Sequence, residues 1–157
     1  MGQDAQEIEK NYSAEVALAM LPRDRWGALG LNPGSTSGTV SSTIIELPAA
    51  DCEVILNAHA ARDMRVEIVD ERFSPVAQFA GADSGTPDTD GGLECLVNWK
   101  KAQLASLAGT KIRLLVHLKK SGENQPRLYA IYFRSKEKPS SSVLLGTSWR
   151  WFLSGFT

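Results

Sequence analysis

Apolar positions recur at every second residue along most of this chain. The clearest run is Lys111–Lys119, where Ile112, Leu114, Val116 and Leu118 alternate with Arg113, Leu115, His117 and Lys119. Successive side chains of a strand point to opposite faces, so this spacing gives one apolar face and one mixed face. Met64–Asp70 repeats the pattern, with Met64, Val66 and Ile68 against Arg65, Glu67 and Val69. Thr39–Leu47 is rich in β-branched residues and stops at Pro48, which reads as another strand. Glu53–Ala60 is a continuous apolar strand broken by Asn57, and Leu93–Trp99 is a further one. Tyr12, Ala14, Val16, Leu18 and Met20 also alternate with their neighbours. Helix is the rival reading there, because Ala and Glu are good helix formers. Arg25–Leu29 is a short candidate strand.

Turn chemistry divides these runs. Residues 31–38 (LNPGSTSG) and 80–92 (AGADSGTPDTDGG) are loops, rich in the residues that favour turns. Glu71–Ser74 is a hairpin connection, with Val76–Phe79 as its returning strand. Lys101–Ala108 is long enough for one or two helical turns, and Gly109 suits the C-cap. SGENQP (121–126) turns the chain from Lys111–Lys119 into Arg127–Phe133, which predicts a hairpin. On that last strand, strict alternation puts Tyr129, Ile131 and Phe133 on one face and Leu128, Ala130 and Tyr132 on the other. The expected fold class is all-β: a jelly-roll-like antiparallel β-sandwich with at most one short helix. Its expected core is Val40, Ile44, Leu56, Val66, Ile68, Val97, Ile112, Leu114, Val116, Ile131 and Phe133. The expected organisation is an N-terminal extension over 1–11, the sandwich over 12–134, and a C-terminal extension over 135–157.

Composition narrows the class. Hydrophobic residues are 43% and charged residues 22% of the 157, the balance of an ordinary globular domain. The start, MGQDAQEIEKNYS, has neither a basic nor an apolar signal region, so a cytoplasmic location is the default expectation. No run of about 18 apolar residues exists to span a membrane. Cys52 and Cys95 lack a CxxC partner or paired His, so no metal or other cofactor is expected and two buried thiols are. A disulfide becomes an option only if the chain is exported. Residues 1–95 carry six basic and sixteen acidic residues, and residues 96–157 eleven basic and two acidic. A basic face for nucleic acid is one reading of that asymmetry. Pairing of acidic with basic strands is the better one, and no nucleic-acid partner is expected.

The segments LAMLPRDRWGAL, TIIELPAADCEVILNAHA, MRVEIVDERFSPVAQF, VNWKKAQLASLAGTKIRLLVHLK and RLYAIYF, in that order, cover about three quarters of the chain. Their succession resembles the β-sandwich module that follows the five-bladed β-propeller in fructosidase-like glycoside hydrolases. In such proteins the segment like LAMLPRDR sits where propeller hands over to sandwich. The resemblance implies a non-catalytic, carbohydrate-associated module. The family's catalytic carboxylates belong to the propeller, so none transfers to this chain. Arg23-Asp24 matches the family's Arg-Asp-Pro motif only in its first two residues, since Arg25 replaces the proline. SGENQP is longer than the family's tight turn, and the tail after Phe133 has no counterpart.

Candidate chemistry is sparse. Flat aromatic faces stack on sugars and polar side chains bind hydroxyls, which makes Trp99, Tyr132, Arg113 and Asn57 the candidate glycan-binding residues. Trp26, Phe73 and Tyr129 are further possible platforms, although aromatics in a sandwich are usually core. Asp83, Asp88 and Asp90 form the dense acidic loop, read as solvated, with calcium as the alternative. His59 and His117 are isolated in sequence, so no catalytic residues are assigned and no enzyme is expected. The alternative function is protein interaction or homo-oligomerisation through the apolar tail 143–157 (VLLGTSWRWFLSGFT).

Overall fold

The computed structural model describes residues 16–49 and 51–136. The expected extension over 1–11 and the apolar tail 143–157 lie outside the described residues. Among those described, nine strands form: β1 (Leu29–Gly30), β2 (Ser37–Ser41), β3 (Ile45–Glu46), β4 (Cys52–His59), β5 (Arg65–Val69), β6 (Thr86–Pro87), β7 (Gly91–Asn98), β8 (Lys111–Lys119) and β9 (Arg127–Ser135). One antiparallel sheet runs in the order β1-β9-β4-β7-β6. In the other, β8 is central, with β2 and β3 on one side and β5 on its other side. The protein is an all-β antiparallel sandwich, as the alternating pattern implied. The longer strands cross between the sheets at almost every step along the chain: β4, β7 and β9 lie in one sheet and β5 and β8 in the other.

The two inner faces meet in one core. Strand β8 contributes Ile112, Leu114, Val116 and Leu118, and β4 contributes Cys52, Val54, Leu56 and Ala58. Strand β5 adds Val66 and Ile68, and β7 adds Cys95 and Val97. Val40, Ile131 and Phe133 pack against this core from partly buried positions. Both thiols are buried and free. Burial, helped by the Asp51 carboxylate, pushes the Cys52 thiol above its ordinary range.

The structure corrects five expectations. First, Lys111–Lys119 and Arg127–Phe133 are not a hairpin. Strand β8 pairs with β2, β3 and β5, and β9 pairs with β1 and β4. SGENQP therefore bridges the two sheets, which is why it is longer than a tight turn. Second, Thr39–Leu47 is interrupted. The Ser42 hydroxyl accepts from the Leu114 N–H at 2.9 Å, and the Ser42 N–H donates to the Leu114 carbonyl at 2.9 Å. The extra residue thus accommodated turns Ile44 outward to 45% exposure, and Leu47 takes the buried position instead.

Third, only the first residues of Val76–Phe79 return as a strand, through the Val69–Pro75 bridge and the Val76 N–H to Ile68 carbonyl bond. Ala77–Phe79 then becomes a 3-10 turn that buries Phe79. Fourth, of the alternating run Tyr12–Met20, residues 12–15 lie outside the described residues and Val16–Met20 pairs with no strand among those described. Fifth, a bulge breaks the strict alternation on β9. Register slips between Asn57–Ala130 and Ala58–Leu128, so Leu128 joins the core while Tyr129 turns to the outer face that carries Tyr132. The 101–108 segment does turn, as a 3-10 helix at Leu104–Leu107, and Gly109 follows at φ +70°, a conformation glycine adopts without strain.

Gly85 fixes the rim of the sandwich. Its N–H and carbonyl both bond to Val66, and the Trp99 ring and Val97 lie directly over its α-carbon. A β-carbon there falls 2.6 Å from both the indole and the Val97 methyl. Trp99 in turn meets Phe79 edge to face, with ring centroids 5.9 Å apart. Gly85→Ala is expected to lower the unfolding free energy by about 1–3 kcal/mol, read as a lower urea midpoint at constant slope. An unchanged midpoint refutes the tight packing.

Candidate functional site

Strand β4 is central in its sheet, and its run of apolar residues is buried on both faces. The inner face meets the second sheet. The outer face is covered by residues 22–25, which cross β7, β4 and β9 as a strap. A turn closed by the Arg25 N–H on the Pro22 carbonyl, 3.2 Å, shapes the strap. Asp24 holds φ +60° within it, a backbone region Asp tolerates better than most residues.

Asn57 anchors the strap. It is fully buried, and its amide is spent on strap atoms. Its Oδ1 accepts from Arg25 Nε at 3.0 Å, and its Nδ2 donates to the Arg23 carbonyl at 2.8 Å. The Arg25 guanidinium stacks 4.6 Å above the Tyr129 ring, and that of Arg23 lies 5.2 Å from the Tyr132 ring. Tyr132 donates its hydroxyl proton to the Asp24 carboxylate. Arg23 also reaches Glu94 at 3.4 Å, and Arg134 joins Glu94 (3.2 Å) to Glu53 (2.8 Å). Burial, and then the Asp24 carboxylate, raise the Tyr132 phenol above its ordinary value near 10, while Asn57 and Arg23 oppose the shift.

The four candidate glycan-binding residues are not brought together. Asn57 and Tyr132 sit side by side beneath the strap, where no sugar reaches the Asn57 amide. Trp99 is half-buried against Phe79 and Gly85. Arg113 lies on the outer face of the other sheet, over the Phe73 ring at 4.6 Å, and donates to the Ser42 carbonyl at 3.2 Å. The acidic loop is dispersed as well. Asp83 pairs with Lys101 at 2.9 Å, Asp88 accepts from the Leu96 N–H at 2.8 Å, and Asp90 accepts from the Arg62 N–H at 2.9 Å. Among the described residues, no cluster of three or more His, Cys, Asp or Glu is arranged to hold a metal ion.

His117 does have neighbours that its sequence context did not suggest. Its Nδ1 lies 3.0 Å from the Thr39 hydroxyl and its Nε2 3.2 Å from the Glu67 carboxylate. Hydroxyl, imidazole and carboxylate are the ingredients of nucleophilic catalysis. Here they form a cross-strand row over β2, β8 and β5, on the outer face of the sheet. Cross-strand bonding accounts for the row.

A shallow concavity lies elsewhere. A shallow depression of about 310 Å³ is lined by His59, Glu123, Asn124, Gln125, Arg127 and Tyr129. It forms where the end of β4 meets the start of β9, paired as His59 with Arg127, and the 121–126 crossover makes its far wall. None of the four candidate residues lines it, although Tyr129 was among the further platforms. Sequence reasoning missed it because the β9 bulge and the inter-sheet course of the crossover create it. The surplus of polar residues in the longer crossover was the one available signal. Comparison with protein-family models, curated proteins and solved structures finds no match to this chain.

Two outcomes test the strap. Asn57→Ala leaves the Arg23 carbonyl and Arg25 without their partner. It is expected to cost about 1–3 kcal/mol and to open the Arg23 and Arg25 bonds to trypsin; unchanged cleavage there refutes the anchor. The Tyr132 contribution has a defined pH window. A phenol raised on folding adds stability that is whole below the unfolded pKa and is lost as pH rises through the folded one. The stability difference between wild type and Tyr132→Phe is thus expected to stay constant around neutrality and to fall only above pH of about 10. A decline that begins near neutrality contradicts it.

Proposed function

We propose that the protein is a non-catalytic accessory module of a carbohydrate-active assembly, docked on a fructosidase-like propeller through the segment that ends in the strap. The observation that carries this reading is a contrast between neighbouring residues. Arg23, Asp24 and Arg25 are fastened to the sheet, while Val16, Leu18, Met20 and Leu21 just before them are 103%, 88%, 85% and 52% exposed. A row of large apolar side chains left in water is what an unfilled interface leaves. The order of segments supports the identity of the partner, since LAMLPRDR corresponds to the handover between propeller and sandwich in the family this chain resembles. A non-catalytic role is supported by the carboxylates of the acidic loop, each occupied by a cation or a backbone N–H instead of facing another across a cleft.

Self-association through the same row, or through the apolar tail, is the competing reading. The double variant Leu18→Asp/Met20→Asp separates the possibilities. These side chains are already solvated, so stability is expected to stay within about 0.5 kcal/mol of wild type. Co-elution with a separately expressed fructosidase-like propeller glycosidase is expected to be lost. Persistent co-elution in the variant sinks the docking role. Light scattering that shows a wild-type dimer and a variant monomer assigns the row to self-association instead.

A further inference from the structure

The two long flanks of the sandwich are finished differently. Along the flank that carries β5 and β6, Gly85 bonds to Val66 through both its N–H and its carbonyl, and Phe79 and Trp99 meet edge to face beside it. The inward side chains there, Val66, Ile68 and Phe79, are fully buried. The opposite flank carries β9 and β2. Strand β1 lies beside β9 only at Leu128 and Arg127, and the chain then crosses to β2. Leu31 seals that crossing: a β-carbon on Gly38 falls 3.1 Å from its methyl group. Farther along the flank, the inward side chains stay partly exposed. Val40 of β2, Ile45 of β3, and Ile131 and Phe133 of β9 point inward, since each opposes a core residue, respectively Val116, Ile112, Leu56 and Val54. Those four partners are at most 2% exposed, whereas the flank residues are only partly buried. Strand β2 is paired with β8 alone, so its outer edge has no strand beside it among the described residues.

An apolar seam beside an unpaired edge strand is a surface that proteins cover. The chain itself carries a segment of matching chemistry. Of residues 143–157 (VLLGTSWRWFLSGFT), eight are large and apolar and only Arg150 is charged. Trp149, Trp151 and Leu153 alternate with Ser148, Arg150 and Phe152, the spacing of a strand with one strongly apolar face. The segment is also attached at the right place. Phe133 lies three residues before Lys136, whose N–H bonds to the Asp51 carbonyl at 2.9 Å at the end of β9. The polar stretch 137–142 (EKPSSS) spans at most about 20 Å, and two packed sheets lie roughly 10 Å apart, so the segment reaches the edge of β2. We propose that residues 143–157 close this flank of their own sandwich. They run beside β2, with Trp149, Trp151 and Leu153 over Val40, Ile45, Ile131 and Phe133, and with Arg150 toward solvent. The short tether favours the chain's own segment over that of a second copy, because it holds the segment at a high effective concentration. The inference does not rest on the docking reading. It places the tail within one molecule and leaves Val16–Leu21 as the row open to a partner.

The test is amide hydrogen exchange of the full chain, read by mass spectrometry, together with light scattering over a range of protein concentrations. In the wild type, amides of residues 148–153 are expected to exchange at least about tenfold more slowly than an unstructured chain, at every concentration and in a monomer. The double variant Trp149→Ser/Trp151→Ser, made in the full chain, is expected to lose that protection. It is also expected to speed exchange in β2 at least about tenfold, while β5, on the sealed flank, keeps its wild-type rates. Unchanged β5 rates show that the variant sandwich is folded. Exchange of 148–153 at the unstructured rate in the wild type overturns the assignment. So does a variant in which β2 exchanges as in the wild type, or in which β2 and β5 accelerate together. Protection of 148–153 that disappears on dilution, in step with a dimer seen by light scattering, overturns it too and gives the flank to the segment of a second copy.

Discussion

A strand buried on both faces needs a cover on both, and most of what is particular to this protein follows from how β4 obtains its second cover. The inner cover is ordinary: a second sheet whose apolar side chains interdigitate with Val54, Leu56 and Ala58. The outer cover is a short polar strap, which has little apolar surface to hold it down. Asn57 solves that problem by placing a buried amide where both its oxygen and its nitrogen find strap partners. Such an amide is costly in the absence of those partners, so the strap and β4 favour each other strongly in this one arrangement. Two guanidinium–ring stacks and the Tyr132–Asp24 bond then hold the strap along its length.

Charge follows the same logic of sequence-distant pairing. The acidic first part of the chain and the basic last part do not form separate fields. Arg134 binds Glu53 and Glu94, Lys101 binds Asp83, Lys111 approaches Glu71, and Lys136 binds Asp51. In each case a cation from the later strands meets a carboxylate from the earlier ones. Because the sheets interleave early and late strands, an asymmetry that looks large along the chain is largely neutralised across it. Exposed pairs of this kind contribute little stability individually, but they favour the register in which β9 lies beside β4.

How legible these features are in the sequence depends on the range over which they are decided. Two-residue periodicity is local, and it identified β4, β5, β7, β8 and β9 to within a residue or two of their ends, together with the inner faces of β5 and β8. Pairing is not local. Lys111–Lys119 and Arg127–Phe133 look like a hairpin because each is a good strand and a turn separates them, yet they belong to different sheets. Bulges defeat alternation for the same reason. The Ser42 bulge exchanges Ile44 for Leu47, and the β9 bulge exchanges Tyr129 for Leu128. The apolar run from Val54 to Leu56 is buried on both faces, and the polar residue next in line, Asn57, is where the second cover attaches. Asn57 and Tyr132, named from sequence as candidate glycan-binding residues, make their polar contacts to the protein's own strap. Trp99 and Arg113 drew notice for their side-chain type, and each meets a phenylalanine ring, Phe79 and Phe73 respectively.

The β9 bulge has a last consequence. By turning Tyr129 outward it places one ring at both the strap and the depression, where Arg25 stacks on it and the crossover residues face it. A stack of this kind contributes on the order of 0.5–2 kcal/mol. Anything that strengthens the ring's position from one side strengthens it from the other, because coupling between two sites is reciprocal. The fastened strap therefore also fixes one wall of the depression. The size of the stack limits that effect to roughly one order of magnitude in the population of the fixed ring.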